Sequence, residues 1–380
     1  MLEFNKSTLV RISLPSLILF FTLFPYIGIN FFPSDIQPYA LLLGVIYLLR
    51  KNKISLLREH YFLIIPIAIA FLGLFFDFSN PILWTRSFTG YVSFMIFSIT
   101  FYNISKNYNF PILQFKRIVY IWVFFALMQL ILDKSFGSFL VANFRVGGGR
   151  GILSLAPEPA YLGIIGFYLS IISYSYLNEK KLFYLSLLLI ILSQSLFSIL
   201  VASLYFLPIL LKKVKVVTFL IIIFLIIISY NEIFLTDRLL KISSILIKNP
   251  TTFYYLDASS SDRIFHLLKS FQGFIDNFGI PNGYNFWRDY AISEYNNSDF
   301  IFLTTGRIMS TYGSMLFELG IFAFPLIFFI IKKSKKIGFI DNKLTFIAFN
   351  FSLLFAVPLA LPILPLILHL KYFNIEKEKR

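Results

Sequence analysis

Cysteine is absent from the 380 residues, which excludes disulfides and cysteine-ligated metals. Histidine occurs three times, at His60, His266 and His369, and so thin a supply argues against a zinc site. The chain has no Walker loop, no GxGxxG, no HExxH and no DxD pair in its early outer loop. These gaps remove the usual signatures of nucleotide binding, zinc hydrolysis and metal-dependent sugar transfer. Charge is scarce as well, at 14% of residues, while 58% are hydrophobic and 19% aromatic, far outside the range of water-soluble domains.

What fills the space is apolar sequence in runs of membrane-spanning length. Those runs do not alternate apolar and polar residues, so a transmembrane barrel is excluded and the expected fold is all-α, a polytopic transmembrane helical bundle forming one domain over 1–380. The N-terminal apolar run is too long for a signal peptide and no small-residue cleavage site follows, so it reads as the first span. Spans are predicted at 12–32, 36–49, 61–77, 81–101, 118–132, 158–177, 182–194, 196–211, 216–231, 308–331, 344–356 and 359–370. The runs 182–211 and 344–370 read as helical hairpins turning at "SQS" and "VPLALPILP". One long tilted helix in each place would reduce the count from twelve to ten.

Charge favours twelve. With that count, 23 of the 34 Lys and Arg fall on the side that holds both termini, which should be the cytoplasm. The opposite loops "PSDIQP" and "DFSNP" hold none. The net charge of +15 then reflects topology and contact with the lipid bilayer, not nucleic-acid binding, because the positive charge is dispersed among short loops.

Two external segments exceed simple connections: a loop over 133–157 and a large loop over 231–307. In the second, "SSSDRIFHLLKSFQGFIDNFG" has helical periodicity, with a capping-box spacing between Ser259 and Asp262, and is amphipathic. A second amphipathic piece, "TDRLLKISSILIK", precedes it. The Trp-Arg pair in "NFWRDY" suits an interface or stacking on a sugar.

Arginine offers a planar, permanently charged fork that fits phosphate or pyrophosphate. Arg145, Arg150, Arg263, Arg288 and Arg307 lie on the outer side as candidate anion ligands; solvated loop positions are the plain alternative. Arg86 sits just inside the fourth span, either snorkelling outward or lining a cavity. Glu158, between Pro157 and Pro159 at the start of a span, suits either a helix N-terminus or a functional carboxylate, and Tyr161 follows on the same turn. Glu318 in the tenth span calls for an internal partner, of which Arg307 or Arg86 is the simplest.

The order of these features resembles the O-antigen polymerase (Wzy) family, itself related to the O-antigen ligases. The resemblance is carried by arginines feeding "EPAYLG" at the start of a span, a large outer loop, and a closing "STYGSMLFELGIFAF" helix. Arg145 or Arg150, Glu158, Gly163, Arg263, Glu318 and Gly320 correspond to positions typical of the group. The ligase-type histidine at the loop's return is absent from "GRIMSTYGS", which favours polymerase over ligase.

The resemblance implies an enzyme of the bacterial inner membrane that polymerises undecaprenyl-pyrophosphate-linked repeat units at the periplasmic face, with no cofactor. Arg145, Arg150 and Arg263 would neutralise the pyrophosphate, with Arg288, Arg307, Arg86 and Tyr161 as further substrate contacts. Glu158, with Arg150, would carry the chemistry as base or orienting partner. A flippase and a chain-length regulator of the same pathway would be its partners. Ligation of finished polymer, or export of lipid-linked sugars, are the rival functions.

Overall fold

The computed structural model describes residues 13–28, 34–73, 81–145, 151–211, 258–296, 298, 300, 303, 306–337, 342–355 and 357–374. Among them the regular elements are helices, and the β-type contact between Ile27 and Val141 is an isolated bridge. Helix α1 (Leu14–Leu23) starts where the Ser13 hydroxyl accepts the Ser16 N–H at 3.3 Å. The first span predicted over 12–32 is cut short, because Pro25 has no N–H to continue the helical ladder. Residues 24–28 instead turn aside to meet 140–142, before α2 (Tyr39–Leu49).

A 3₁₀ turn over Arg58–Ile64 leads into α3 (Ile65–Gly73), followed by α4 (Pro81–Asn107), α5 (Ile112–Ile131) and α6 (Pro159–Ile171). Helix α6 is the central rod. Its residues are apolar all round, and nearly all of them are buried, as expected for a helix with neighbours on every side. It continues through a π turn at Ile172–Tyr176 into α7 (Lys180–Ser193).

Each of the two doubtful runs is divided into two helices. Helix α7 turns into α8 (Leu196–Leu211) at Gln194, whose φ of 47° is left-handed. Near the C-terminus, α13 (Asn342–Phe355) and α14 (Ile363–His369) are separated by the proline-bearing stretch 357–362. One long tilted helix in either run is therefore ruled out, since neither a left-handed residue nor a proline pair is compatible with a continuous ladder.

The segment predicted to be external, here called the outer segment, contributes α9 (Ala258–Asp276) and α10 (Trp287–Asn296), after which α11 (Thr311–Leu319), a 3₁₀ turn at Gly320–Phe322 and α12 (Ala323–Ser334) form one interrupted helical path. Two stretches, Ile112–Ile131 and Thr311–Ser334, are long and apolar enough to cross a membrane. The span predicted over 216–231 and the amphipathic piece over 236–248 lie outside the described residues.

Helix α9 is amphipathic as expected, but Ser259 is not its cap. The helix already includes Ala258, and Asp262 is buried beside His266, 3.2 Å away one turn on. The N–H of Met309 donates to the His266 Nδ1 at 3.0 Å, which leaves the His266 Nε2 proton facing Asp262. Together with Phe265, Trp287, Ala291, Ile308 and Phe317 this forms a small separate core.

The outer segment is fastened to the apolar path at a pair of glycines. Gly320 has φ 57°, and a Cβ there would lie 2.3 Å from the Gly279 carbonyl oxygen. The Ile321 N–H donates to that same oxygen at 2.8 Å. Only glycine allows both the backbone angle and the approach.

At the opposite end of the bundle, His60 and His369 bring their Nε2 atoms to 3.4 Å, and Glu59 accepts from the Lys332 ammonium at 2.9 Å. That bond holds the Glu59 carboxyl well down, to about 2. Many large apolar side chains point away from the core, among them Leu113, Phe124, Leu130 and Ile131 on α5 and Ile321, Phe324 and Phe328 along the α11–α12 path.

Candidate functional site

In the loop expected to be external over 133–157, the first part is largely exposed while 151–157 are not. Gly137, with φ 82°, turns the chain after α5, and 140–142 lie against 26–28, with Gly28 N–H donating to Leu140 O at 3.0 Å and Ala142 N–H to Tyr26 O at 3.3 Å. Residues 151–157 are then buried among the helices. Burying such a non-helical segment requires partners for its backbone. Gln129 of α5 supplies them: its amide donates to Phe136 O and Ser154 O, both at 2.8 Å, and its carbonyl accepts from Leu153 N–H at 3.1 Å and Ser154 N–H at 2.6 Å. The Ser154 hydroxyl adds a bond to Trp122 O at 2.7 Å, and Ile152 N–H one to Leu192 O at 2.9 Å.

Glycine is required on this path. A Cβ on Gly151 would meet the Ser193 carbonyl oxygen at 2.2 Å, and one on Gly163 would meet the Ser198 hydroxyl at 2.2 Å. The buried strap therefore runs directly against the α7–α8 turn. It delivers Pro157 and Glu158 to the start of α6, where Pro157 O accepts the Arg145 N–H at 3.0 Å.

Three widely separated stretches meet there. Arg145 Nη1 lies 2.7 Å from Glu158 Oε1, and its Nη2 lies 2.6 Å from Asp35 Oδ1. The Asn143 amide approaches the same Asp35 oxygen at 3.5 Å, and the Tyr161 hydroxyl donates to Asp35 Oδ2 at 3.4 Å. Arg307 in turn donates to the Tyr161 hydroxyl, and Arg86 donates to the Gly306 carbonyl at 3.3 Å. The Tyr26 ring packs against that of Tyr161, with centroids 5.3 Å apart.

Glu158 occupies the N-cap position of α6, yet its side chain makes no capping bond. The carboxylate is committed to Arg145 instead, so the helix-cap reading does not account for it. Burial pulls the Arg145 guanidinium down, but Glu158 and Asp35 outweigh it and hold the group above its ordinary value. The Tyr161 oxygen foremost, with Asp35 and Tyr26 adding to it, outweighs burial and holds Arg307 above its ordinary value as well. Arg145 is thus neutralised by two carboxylates, whereas Arg86 and Arg307 have no carboxylate within ion-pair distance among the described residues. Asp35 and Glu158 grip one cation, and among the described residues no group of three His, Asp or Glu side chains could hold a metal.

Of the residues expected at the site, Glu158, Arg145, Tyr161, Arg307 and Arg86 come together. Arg150 lies outside the described residues. Arg263 stacks over the Phe197 ring of α8 at 5.2 Å, and Arg288 is exposed on α10. The Trp287 ring beside it is buried against Phe317 and His266, so it does not offer a face for stacking on a sugar. Glu318 pairs with neither Arg307 nor Arg86. It accepts from the Tyr91 hydroxyl at 2.7 Å, because its helical position on α11 turns it toward α4 in the buried interior.

Asp35 was the residue missed. Its signal was present: it is the sole acidic residue in "PSDIQP", a loop predicted to be external and without a basic residue, and no partner for it lies nearby in sequence. No family model, no curated protein and no solved structure matches the chain.

Proposed function

We propose that the chain is an integral membrane glycosyltransferase of the O-antigen polymerase type, extending a polysaccharide from units carried on undecaprenyl pyrophosphate at the outer face of the bacterial inner membrane. Both termini would then be cytoplasmic and the helices would form a bundle of about twelve spans. The outward-facing apolar side chains of α5 and of the α11–α12 path support a bilayer as surroundings. The observation that carries the chemical reading is the split of the arginine cluster, in which Arg145 is clamped by Asp35 and Glu158 while Arg307 and Arg86 have no carboxylate partner among the described residues.

That split assigns separate tasks. Arg307 and Arg86 are the cations left to neutralise a pyrophosphate, while Arg145 holds two carboxylates in place. In the transfer, the acceptor hydroxyl oxygen forms a bond to the anomeric carbon as the bond from that carbon to the pyrophosphate oxygen breaks. The hydroxyl proton passes to a carboxylate, and Glu158, with one oxygen on Arg145, is the better-placed base. Charge developing on the leaving pyrophosphate is met by fixed guanidinium donors.

Complementation tests the proposal. In a polymerase-null strain, Glu158→Gln and Arg307→Gln variants that reach the membrane at wild-type levels should give single repeat units on the lipopolysaccharide in place of a ladder. Full-length ladders from both variants would remove the site from the reaction.

A further inference from the structure

Tyr26 stands at the edge of this cluster with its hydroxyl fully buried and without a hydrogen-bond partner. The hydroxyl is within electrostatic reach of Tyr161, Asp35 and Arg307. Its backbone is pinned on both sides: Tyr26 O accepts from Ala142 N–H, Ile27 bridges Val141, and Pro25 O accepts from Gln37 N–H at 2.8 Å. The ring is therefore held in place by the chain crossing, and it is held where its donor has nothing to meet.

None of its neighbours meets it. Asp35 already receives Arg145 and Asn143 on one oxygen and Tyr161 on the other, while the Tyr161 hydroxyl is engaged with Arg307 and Asp35. A buried donor with no acceptor is costly, and native proteins avoid it unless something else occupies the place. Here the idle hydroxyl belongs to a ring packed on Tyr161, whose own hydroxyl accepts from Arg307, and Arg307 has no carboxylate within ion-pair distance among the described residues. A group rich in acceptor oxygens and negatively charged satisfies both at once, whereas a water molecule satisfies only the hydroxyl.

We infer that Tyr26 is a ligand of a phosphate-type anion, its hydroxyl donating to a non-bridging oxygen of the phosphate or pyrophosphate that Arg307 and Arg86 neutralise. The inference rests on the assignment of those two arginines made under the proposed function. It also sets Arg145 apart from the anion, as the residue that orients the carboxylates. The phosphate oxygens could be borne by a carrier lipid, by a bilayer phospholipid or by a free anion, and the three differ in what is attached to them.

The test uses the purified full chain in nanodiscs, titrated with inorganic pyrophosphate, with farnesyl pyrophosphate, or with phosphatidylglycerol incorporated in the bilayer. Tyr26→Phe removes only the hydroxyl, and it should weaken binding of the pyrophosphates about tenfold, the loss expected for one hydrogen bond to a charged group. The thermal midpoint of the ligand-free variant should stay level or rise, because an unpaired buried hydroxyl is gone. A side chain that served packing alone would lower the midpoint and leave affinity unchanged, and that result overturns the inference. If Arg307→Gln abolishes pyrophosphate binding while Tyr26→Phe does not weaken it, Tyr26 is no ligand and the proposed function stands. If neither pyrophosphate binds the wild-type chain, both fall. Tighter binding of farnesyl than of inorganic pyrophosphate supports a lipid-borne ligand. Equal displacement by phosphatidylglycerol keeps Tyr26 as a phosphate ligand and overturns the carrier-lipid reading.

Discussion

Replacing Gln129 by methionine, a side chain of similar shape without the amide, should be among the most damaging single changes away from the charged cluster. Gln129 makes four hydrogen bonds of 2.6 to 3.1 Å to backbone groups, three of them to Leu153 and Ser154 of the buried strap and one to Phe136 O. A typical hydrogen bond contributes about 1 kcal/mol net, so their loss amounts to about 4 kcal/mol, more if the orphaned Ser154 N–H and C=O find no water. That is a large fraction of the roughly 5–15 kcal/mol by which a folded chain is stable. Reversible unfolding in detergent should show the loss directly. Protease cleavage within 151–157 should rise with it, because the strap would have lost its anchor to α5. The proposed glycosyl transfer should fall as well, although Gln129 contacts none of the charged side chains, since the strap fixes Pro157 and Glu158. A Gln129→Met protein within about 1 kcal/mol of wild type would show that these bonds do not hold the strap, and the account of how the site is positioned would be wrong.

Gly163→Ala should destabilise the bundle by about 2 kcal/mol or more, because its methyl would lie 2.2 Å from the Ser198 hydroxyl and 2.4 Å from its Cβ, forcing α6 and α8 apart. Combining it with Ser198→Gly should restore part of the lost thermal midpoint, and no restoration would point to a different obstruction. Glu59 titrates well below its ordinary value near 4.5, at about 2, because the Lys332 ammonium bonds to it. A depressed carboxyl contributes stability above the unfolded value, and that contribution is lost as pH falls through the folded one. Wild-type thermal midpoints should therefore drop more steeply than those of Glu59→Gln between about pH 5 and pH 2, and parallel curves would refute the pairing.

The helical class and most helix positions were legible because apolar runs, prolines and turn residues are local signals. "SQS" and the proline-bearing run before α14 marked both helix breaks. Local signals failed where distant stretches decide the outcome. Pro25 marks the end of its helix, but nothing around it announces that the chain then crosses 140–142, and nothing around Gln129 announces three bonds to a strap that lies some 25 residues further along. Glu158 and Arg145 drew attention through composition, but the clamp needs Asp35 from over a hundred residues away. Glu318 shows the reverse error: a carboxylate in an apolar helix suggested an arginine, while the fold had a tyrosine hydroxyl within reach.

The junction of Gly279 and Gly320 has a mechanical consequence. Because the outer segment hooks its backbone into a break in the α11–α12 path, that path and helix α9 cannot slide past each other without losing the Ile321 to Gly279 bond. The same outer unit grips the backbone at Met309 through His266, two residues from Arg307. A tilt of the apolar path would therefore be transmitted as leverage on the Arg307 guanidinium, drawing it toward or away from Tyr161, so a displacement arising within the bundle would be felt first as a change in spacing between the two halves of the charged cluster.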